Sequence, residues 1–280
     1  MKIKKILYLF PIILSSFLSA QKTPITVLPS GHIIAKATIE GKEGNFIFDT
    51  GGGINLFFDS FAKDINPKST YNFFTAYRAT GERIDIPLYQ NKEITFAGKK
   101  FTNIPYSTFD MKIDGIDGLI SLPMFKETDF IIDFDKQEIT LTDFTKDKKS
   151  KSFDIQLTTH ADKTIDISTY IMLNNEFKIQ VLLDSGAGND SFWLSDKLIK
   201  TLAMDVAKLE VMEKKSEFNE NIVTKFYKGS VQSISNEFVT LNDPKVMFVE
   251  GLIYEGKTSI SWLGKKIGIS LKNKKIYILD

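Results

Sequence analysis

The chain has no cysteine and only two histidines, His32 and His160, in 280 residues. Disulfide scaffolds, thiolate nucleophiles, iron–sulfur clusters and cysteine–histidine zinc sites are therefore excluded. A histidine-ligated metal would need both histidines together with carboxylates. A serine nucleophile would have to rely on one of the two histidines, or on lysine. Neither sign of charge dominates, since 36 Lys and Arg face 35 Asp and Glu for a formal net charge of +1. A nucleic-acid partner, which needs a basic surface, is not expected. What is plentiful is carboxylate, and the 42% hydrophobic content is enough to bury a substantial core. The length suits two ordinary domains or one large all-β unit.

Long apolar runs are also missing, apart from one at the N-terminus. Lys2, Lys4 and Lys5 precede the apolar stretch Ile6–Leu14, and Ser15, Ser16, Ser19 and Ala20 supply small residues before Gln21. This is the order of a secretory signal peptide over residues 1–20. The run is too short for a membrane anchor and is interrupted by Pro11. Without cysteine, lipoprotein attachment is excluded. Without its three N-terminal lysines the chain has a net charge of −2. The expectation is an exported protein, periplasmic or extracellular, with no membrane association after signal removal. Its stability would rest on core burial alone.

The chain repeats itself. Residues 37–56 (ATIEGKEGNFIFDTGGGINL) resemble residues 172–191 (MLNNEFKIQVLLDSGAGNDS). Each has a polar turn and an alternating apolar strand that runs into Asp49-Thr50-Gly51 or Asp184-Ser185-Gly186. Helix-like segments are expected at 56–63 and 192–202, and polar strand pairs at 71–90 and 208–228. Residues 94–109 resemble 231–248, and 117–141 resemble 257–279. Both halves end in an alternating hairpin, turning at Asp135-Lys136 and at Lys272-Asn273. The lysine-rich stretch 146–152 reads as a linker between an N-terminal lobe, 21–145, and a C-terminal lobe, 153–280. The predicted fold is all-β, with two β-barrel lobes related by an approximate two-fold and only short helices.

A single Asp-Thr/Ser-Gly means little, because roughly one chain in ten of this length carries one by chance. Such a tripeptide also serves as a plain turn after a strand. Two copies at matching places in a duplicated sequence are a different matter. A two-fold would bring Asp49 and Asp184 together, and two carboxyls that close share one proton. One would draw a proton from a water while the other, protonated, donates to an amide carbonyl. Thr50 and Ser185 supply hydroxyls able to bond across the interface. Gly51 and Gly186 bring backbone amides near the carboxyls. No metal, thiol or cofactor is required.

These motifs resemble those of aspartic peptidases of the pepsin/retropepsin type, in a bilobal, single-chain, bacterial exported form. The resemblance spans most of residues 25–280. It implies that Asp49 and Asp184 are the catalytic pair, supported by Thr50, Gly51, Ser185 and Gly186. It also implies a cleft between the lobes under a β-hairpin flap. Residues 73–88 are the best flap candidate, turning at Thr80-Gly81, with Tyr77 as an aromatic over the pair. Where the family places a glycine late in each lobe, this chain has Ser121 and, by the parallel of Leu119-Ile120-Ser121 with Ser259-Ile260-Ser261, Ser261.

Other features call for no chemistry. Gly51-Gly52-Gly53 lacks the Lys-Ser/Thr pair and the βαβ setting of a phosphate loop. His32 and His160 are expected in surface turns, and most of the 23 phenylalanines in the core. The expected substrate is a peptide or an unfolded protein segment, and the expected state a monomer. Two alternatives predict different geometries. A peptide- or ligand-binding module on the same fold would have its carboxyl pair splayed or plugged. An exported barrel for sugars or lipids would hold the two Asp-Thr/Ser-Gly loops far apart.

Overall fold

The computed structural model describes residues 21–145, 149–216, 219 and 221–280. The expected signal peptide and linker residues 146–148 lie outside these. Of the four remaining linker residues, Lys151 and Ser152 already belong to a strand.

Alternation dictates the first strands. In β2 (Ile33–Ile39), Ile33, Ala35, Ala37 and Ile39 point inward, and in β3 (Lys42–Asp49) Phe46 and Phe48 do the same. Ile39 pairs with Lys42 across Glu40-Gly41, both at positive φ, the two-residue turn that suits a twisted hairpin. β1 (Lys22–Val27) precedes them, and β4 (Asn55–Phe58), β5 (Ser69–Tyr77) and β6 (Arg83–Gln90) follow. The first half continues with β7 (Ile94–Phe96), β8 (Lys99–Phe101), β9 (Pro105–Phe109) and β10 (Gly118–Ser121). It ends with β11 (Asp129–Asp133) and β12 (Glu138–Thr142).

The second half opens with β13 (Lys151–Asp154), β14 (Gln156–His160), β15 (Thr164–Leu173) and β16 (Phe177–Leu183). β17 (Phe192–Ser195), β18 (Glu210–Lys215) and β19 (Val223–Ser230) come next, then β20 (Ser233–Ser235) and β21 (Thr240–Asn242). β22 (Lys245–Val249), β23 (Gly256–Thr258), β24 (Lys266–Ser270) and β25 (Lys275–Ile278) complete it.

The protein is mostly β and its strands form two sheets. The order β3-β10-β4-β9-β6-β5 in one sheet is matched by β16-β23-β17-β22-β19-β18 in the other. Parallel and antiparallel contacts agree at each step. The halves meet through β1-β12-β11-β24-β25-β13, which reads as the same three strands in both directions. At its centre β11 and β24 run antiparallel, with Ile131 opposite Gly268. The duplication seen in the sequence is thus a duplication of strand order.

Two expectations need correction. The segments expected to be helical begin as strands: β4 precedes α1 (Asp59–Ala62), and β17 precedes α2 (Lys197–Thr201). Leu56-Phe57 and Trp193-Leu194 gain their hydrogen bonds from β10 and β23, so tertiary pairing overrides the local pattern. Nor does either sheet close into a barrel among the described residues. Each runs out at an outlying hairpin, β5–β6 or β18–β19. Both outer strands are largely solvent-facing and pair on one side only. Most of the interior is one apolar core across both halves, rich in phenylalanine in the first and in isoleucine, leucine and valine in the second, with a smaller cluster beneath each outlying hairpin.

Candidate active site

β3 and β16 each deliver an aspartate into the interface between the halves, and β10 and β23 lie parallel beside them. The Thr50 amide donates to Ser185 Oγ at 2.9 Å, and the Ser185 amide donates to Thr50 Oγ1 at 3.0 Å. Thr50 Oγ1 in turn donates to the Leu183 carbonyl at 2.8 Å, and Ser185 Oγ to the Phe48 carbonyl at 2.6 Å. Four reciprocal bonds, all buried, clasp one loop to the other. The Asp49 and Asp184 carboxyl groups lie within hydrogen-bonding reach of each other. The loops are therefore together, not apart as a sugar- or lipid-holding barrel would have them.

The glycines explain how the loops approach so closely. A Cβ on Gly51 would fall 2.6 Å from Asp184 Cγ, and one on Gly186 would fall 2.6 Å from Asp49 Cγ. The amide of Gly51 donates to Asp49 Oδ1 at 2.9 Å, and that of Gly186 to Asp184 Oδ1 at 2.7 Å. Burial, then the charge of Asp184 and the hydrogen bond between the two, hold the Asp49 carboxyl well above the usual carboxylate range. Asp166, half-buried on β15, is pushed up to about 6 by burial and by the charge of Asp184. Tyr254 is pushed up to about 12 by burial and by Asp166 and Asp184.

The pair lies at the floor of a cavity of about 460 Å³, roofed by the tip of β5–β6. The tip turns over Arg78–Glu82, where Gly81 has φ +83° and donates its amide to the Arg78 carbonyl at 2.8 Å. Tyr77 and Thr80 line the cavity, although Tyr77 is 57% exposed. Gly81 approaches the backbone of Gly251, and Ala79 O accepts from the Ile253 amide at 3.0 Å. The hairpin therefore rests on the second half. Arg78 and the buried Glu82 carboxylate both hydrogen-bond Ser216 there. A larger groove, about 530 Å³, runs past Phe177 and Leu198, but its Glu176, Lys178, Lys197 and Glu255 are solvent-facing and hold no carboxyl pair.

The position expected for Ser261 belongs to Ser259. β10 pairs Ser121 with Asp49, while β23 pairs Thr258 with Leu183, so Ser259 is the residue level with Asp184. Gly256-Lys257-Thr258-Ser259 is the counterpart of Gly118-Leu119-Ile120-Ser121, and Ser261 begins the 3-10 turn beyond it. Lys257 hid this register, because it interrupts the apolar pattern where the first half has Leu119. Its ammonium lies 2.7 Å from Asp184 Oδ2 and 4.5 Å from the Trp193 ring centroid. Aligning the chain on Gly118 and Gly256 would have exposed it. Trp193, Tyr254 and Asp166 also escaped, for nothing in their local sequence marks them.

His32 does occupy a turn: its carbonyl accepts from Leu28, and its Nδ1 bonds Ser30 Oγ at 2.8 Å. His160 does so too: exposed at the end of β14, it opens the turn to Lys163, whose amide donates to its carbonyl at 3.0 Å. Its ring packs edge-on against Phe74 of the hairpin, with centroids 5.0 Å apart.

Residues 35–124 match the family profile described as aspartyl protease. The match runs from β2 through β10 and includes Asp49-Thr50-Gly51 and the β5–β6 hairpin, so this segment of the first half is similar to that family. The second half, with Asp184, lies beyond it. No curated protein matches the chain.

Proposed function

We propose that this protein is an exported aspartic endopeptidase, bilobal and single-chain in the manner of pepsin and retropepsin, that hydrolyses peptides or unfolded protein segments. The observation that carries this reading is the carboxyl pair, clasped by four reciprocal hydrogen bonds at the floor of a covered cleft. Sharing one proton, the pair can supply both halves of an acid–base reaction. The carboxylate takes a proton from water as its oxygen attacks the peptide carbonyl. The carboxylic acid meanwhile protonates the carbonyl oxygen. The β5–β6 tip would exclude bulk water above the substrate, strengthening both proton transfers. The cleft suits an extended chain, whose backbone could pair with the hairpin edge.

The test is incubation of the purified protein with a denatured protein across pH, with and without a statine-type inhibitor. Inhibitor-sensitive cleavage with a bell-shaped pH dependence is expected, falling roughly 10³-fold or more in Asp49→Asn and in Asp184→Asn. Full activity in either variant would overturn the mechanism. Inhibitor binding without cleavage at any pH would replace the peptidase with a peptide-binding module.

A further inference from the structure

The clasp treats the two aspartates alike. Each receives its own glycine amide and each lies against the other half's glycine. Nothing in that arrangement says which of the two keeps the shared proton.

The strands flanking the pair do differ. In the first half Leu56 on β4 stands opposite Leu119 on β10; at the matching place Trp193 on β17 stands opposite Lys257 on β23. All four side chains face the cleft. The Lys257 ammonium sits 2.7 Å from Asp184 Oδ2, with the two side chains only 14% and 9% exposed. The face of Trp193 screens it from water, an apolar contact that an ammonium also finds electrostatically favourable.

The other charged and titratable groups around the pair come from three elements. Asp166 stands on β15 and Tyr254 just before β23, and Tyr77 and Arg78 lie in the hairpin. Asp166 carries the same charge as the pair when ionised, and Arg78 is engaged with Glu82 and Ser216. Among the described residues, Lys257 is the cation in direct contact with a carboxyl oxygen of the pair.

We propose that Lys257 is a positioning residue that orders the proton within the pair, holding Asp184 as the carboxylate and leaving the proton on Asp49. For catalysis this rests on the peptidase reading. Asp184 then takes a proton from water as the water oxygen bonds to the carbonyl carbon, and Asp49 gives its proton to the carbonyl oxygen. The tetrahedral diol collapses as Asp184 passes its proton to the leaving nitrogen and the C–N bond breaks. A diol hydroxyl returns a proton to Asp49, so both groups end as they began. The neighbouring ammonium makes a second proton on Asp184 unfavourable, which extends the singly protonated state toward acid.

The test compares the wild type with Lys257→Leu, which installs the first half's own residue, and with Lys257→Arg, which keeps the charge. Two readouts are taken. Carboxyl carbon NMR follows proton uptake by Asp49 and Asp184, and cleavage of a denatured protein gives the pH profile. In Lys257→Leu the acidic step of the pair, and the acidic limb of kcat/KM with it, should move up by about one to three pH units. The basic limb should move less, because Lys257 makes its contact with Asp184, the partner of the group that holds the proton. Lys257→Arg should restore the wild-type acidic step. An acidic step unmoved in Lys257→Leu, or moved equally in Lys257→Arg, overturns the role. If Lys257→Leu does not fold, the Arg variant and the wild type decide: the NMR must show Asp184 ionising first in both. If the NMR steps move as expected while even the wild type cleaves nothing, the peptidase reading fails and the proton assignment stands.

Discussion

The two halves of the chain share one strand order but not one interior. Phe46, Phe48 and Phe57 fill the first half at places where the second has Val181, Leu183 and Leu194, all of them buried. The cleft walls differ more sharply, Leu56 and Leu119 against Trp193 and Lys257. The same backbone therefore tolerates large changes of side-chain volume, because alternation and strand pairing specify the sheet, whereas the identity of each inward residue only tunes its packing. In the cleft wall the leucine replaced by a charge, Leu119 by Lys257, is the one whose counterpart touches the carboxyl pair. Symmetry of the clasp and asymmetry of the wall can be tested separately.

The largest difference is expected from the aspartates themselves, read as stability. Asp184→Asn strands the Lys257 ammonium in a buried site without its counter-charge, a situation that costs about 3–5 kcal/mol. Asp49→Asn should do the opposite. A carboxyl whose folded pKa is raised binds its proton more tightly in the native state, so its ionisation destabilises the fold as pH rises. Asp49→Asn should therefore raise Tm at neutral pH, with the gain shrinking as pH falls toward the ordinary carboxylate range, where the unfolded chain is protonated too. Thermal melts of both variants from pH 4 to pH 8 check this. Equal destabilisation by the two would mean that the lysine does not distinguish them.

The clasp should behave in the opposite way, indifferent to which half is changed. Thr50→Val leaves the Ser185 amide and the Leu183 carbonyl without partners, and Ser185→Ala leaves the Thr50 amide and the Phe48 carbonyl. Each strands two buried backbone groups, so each should cost about 2–4 kcal/mol in denaturant unfolding. The two values should agree within about 0.5 kcal/mol. A marked inequality would show that one loop carries the other, not that they hold each other.

How much of this could be read from the sequence follows the same division. Asp49, Thr50, Gly51 and their partners at 184–186 were legible because the motif, the preceding strand and the duplication all agree. The β5–β6 hairpin was legible as a polar strand pair at 71–90, and its turn at Thr80-Gly81 through the family resemblance. What failed depended on contacts between distant segments. Leu56-Phe57 looks helical until β10 is beside it. Ser-Ile-Ser at 259–261 matches Leu-Ile-Ser at 119–121 as text, but the ladder shifts the match by two residues. Lys257 has no meaning in a one-dimensional reading, since an isolated lysine among polar residues is ordinarily a solvated surface group. Only the parallel pairing of β23 with β16 turns it toward Asp184.

The shifted register makes the smallest of the predictions, and the one that checks the strand matching most directly. Ser121 Oγ and Ser259 Oγ are both buried and, among the described residues, neither has a hydrogen-bond partner. Ser121 Oγ lies 2.6 Å from where a Cβ on Gly52 would be, so it fills the space beneath the first aspartate loop. A buried hydroxyl without a partner has lost its water and gained nothing in return, so trimming it to a methyl should be neutral or favourable. Ser121→Ala and Ser259→Ala should each stabilise the fold by up to about 1 kcal/mol, with the same sign in both halves. Ser261→Ala, half-buried in the 3-10 turn and not beneath a loop, should fall within about 0.5 kcal/mol of wild type. If Ser261, not Ser259, behaved as the twin of Ser121 in urea unfolding, the pairing of β23 with β16 would have to be moved by two residues. Lys257 would then no longer stand beside Asp184.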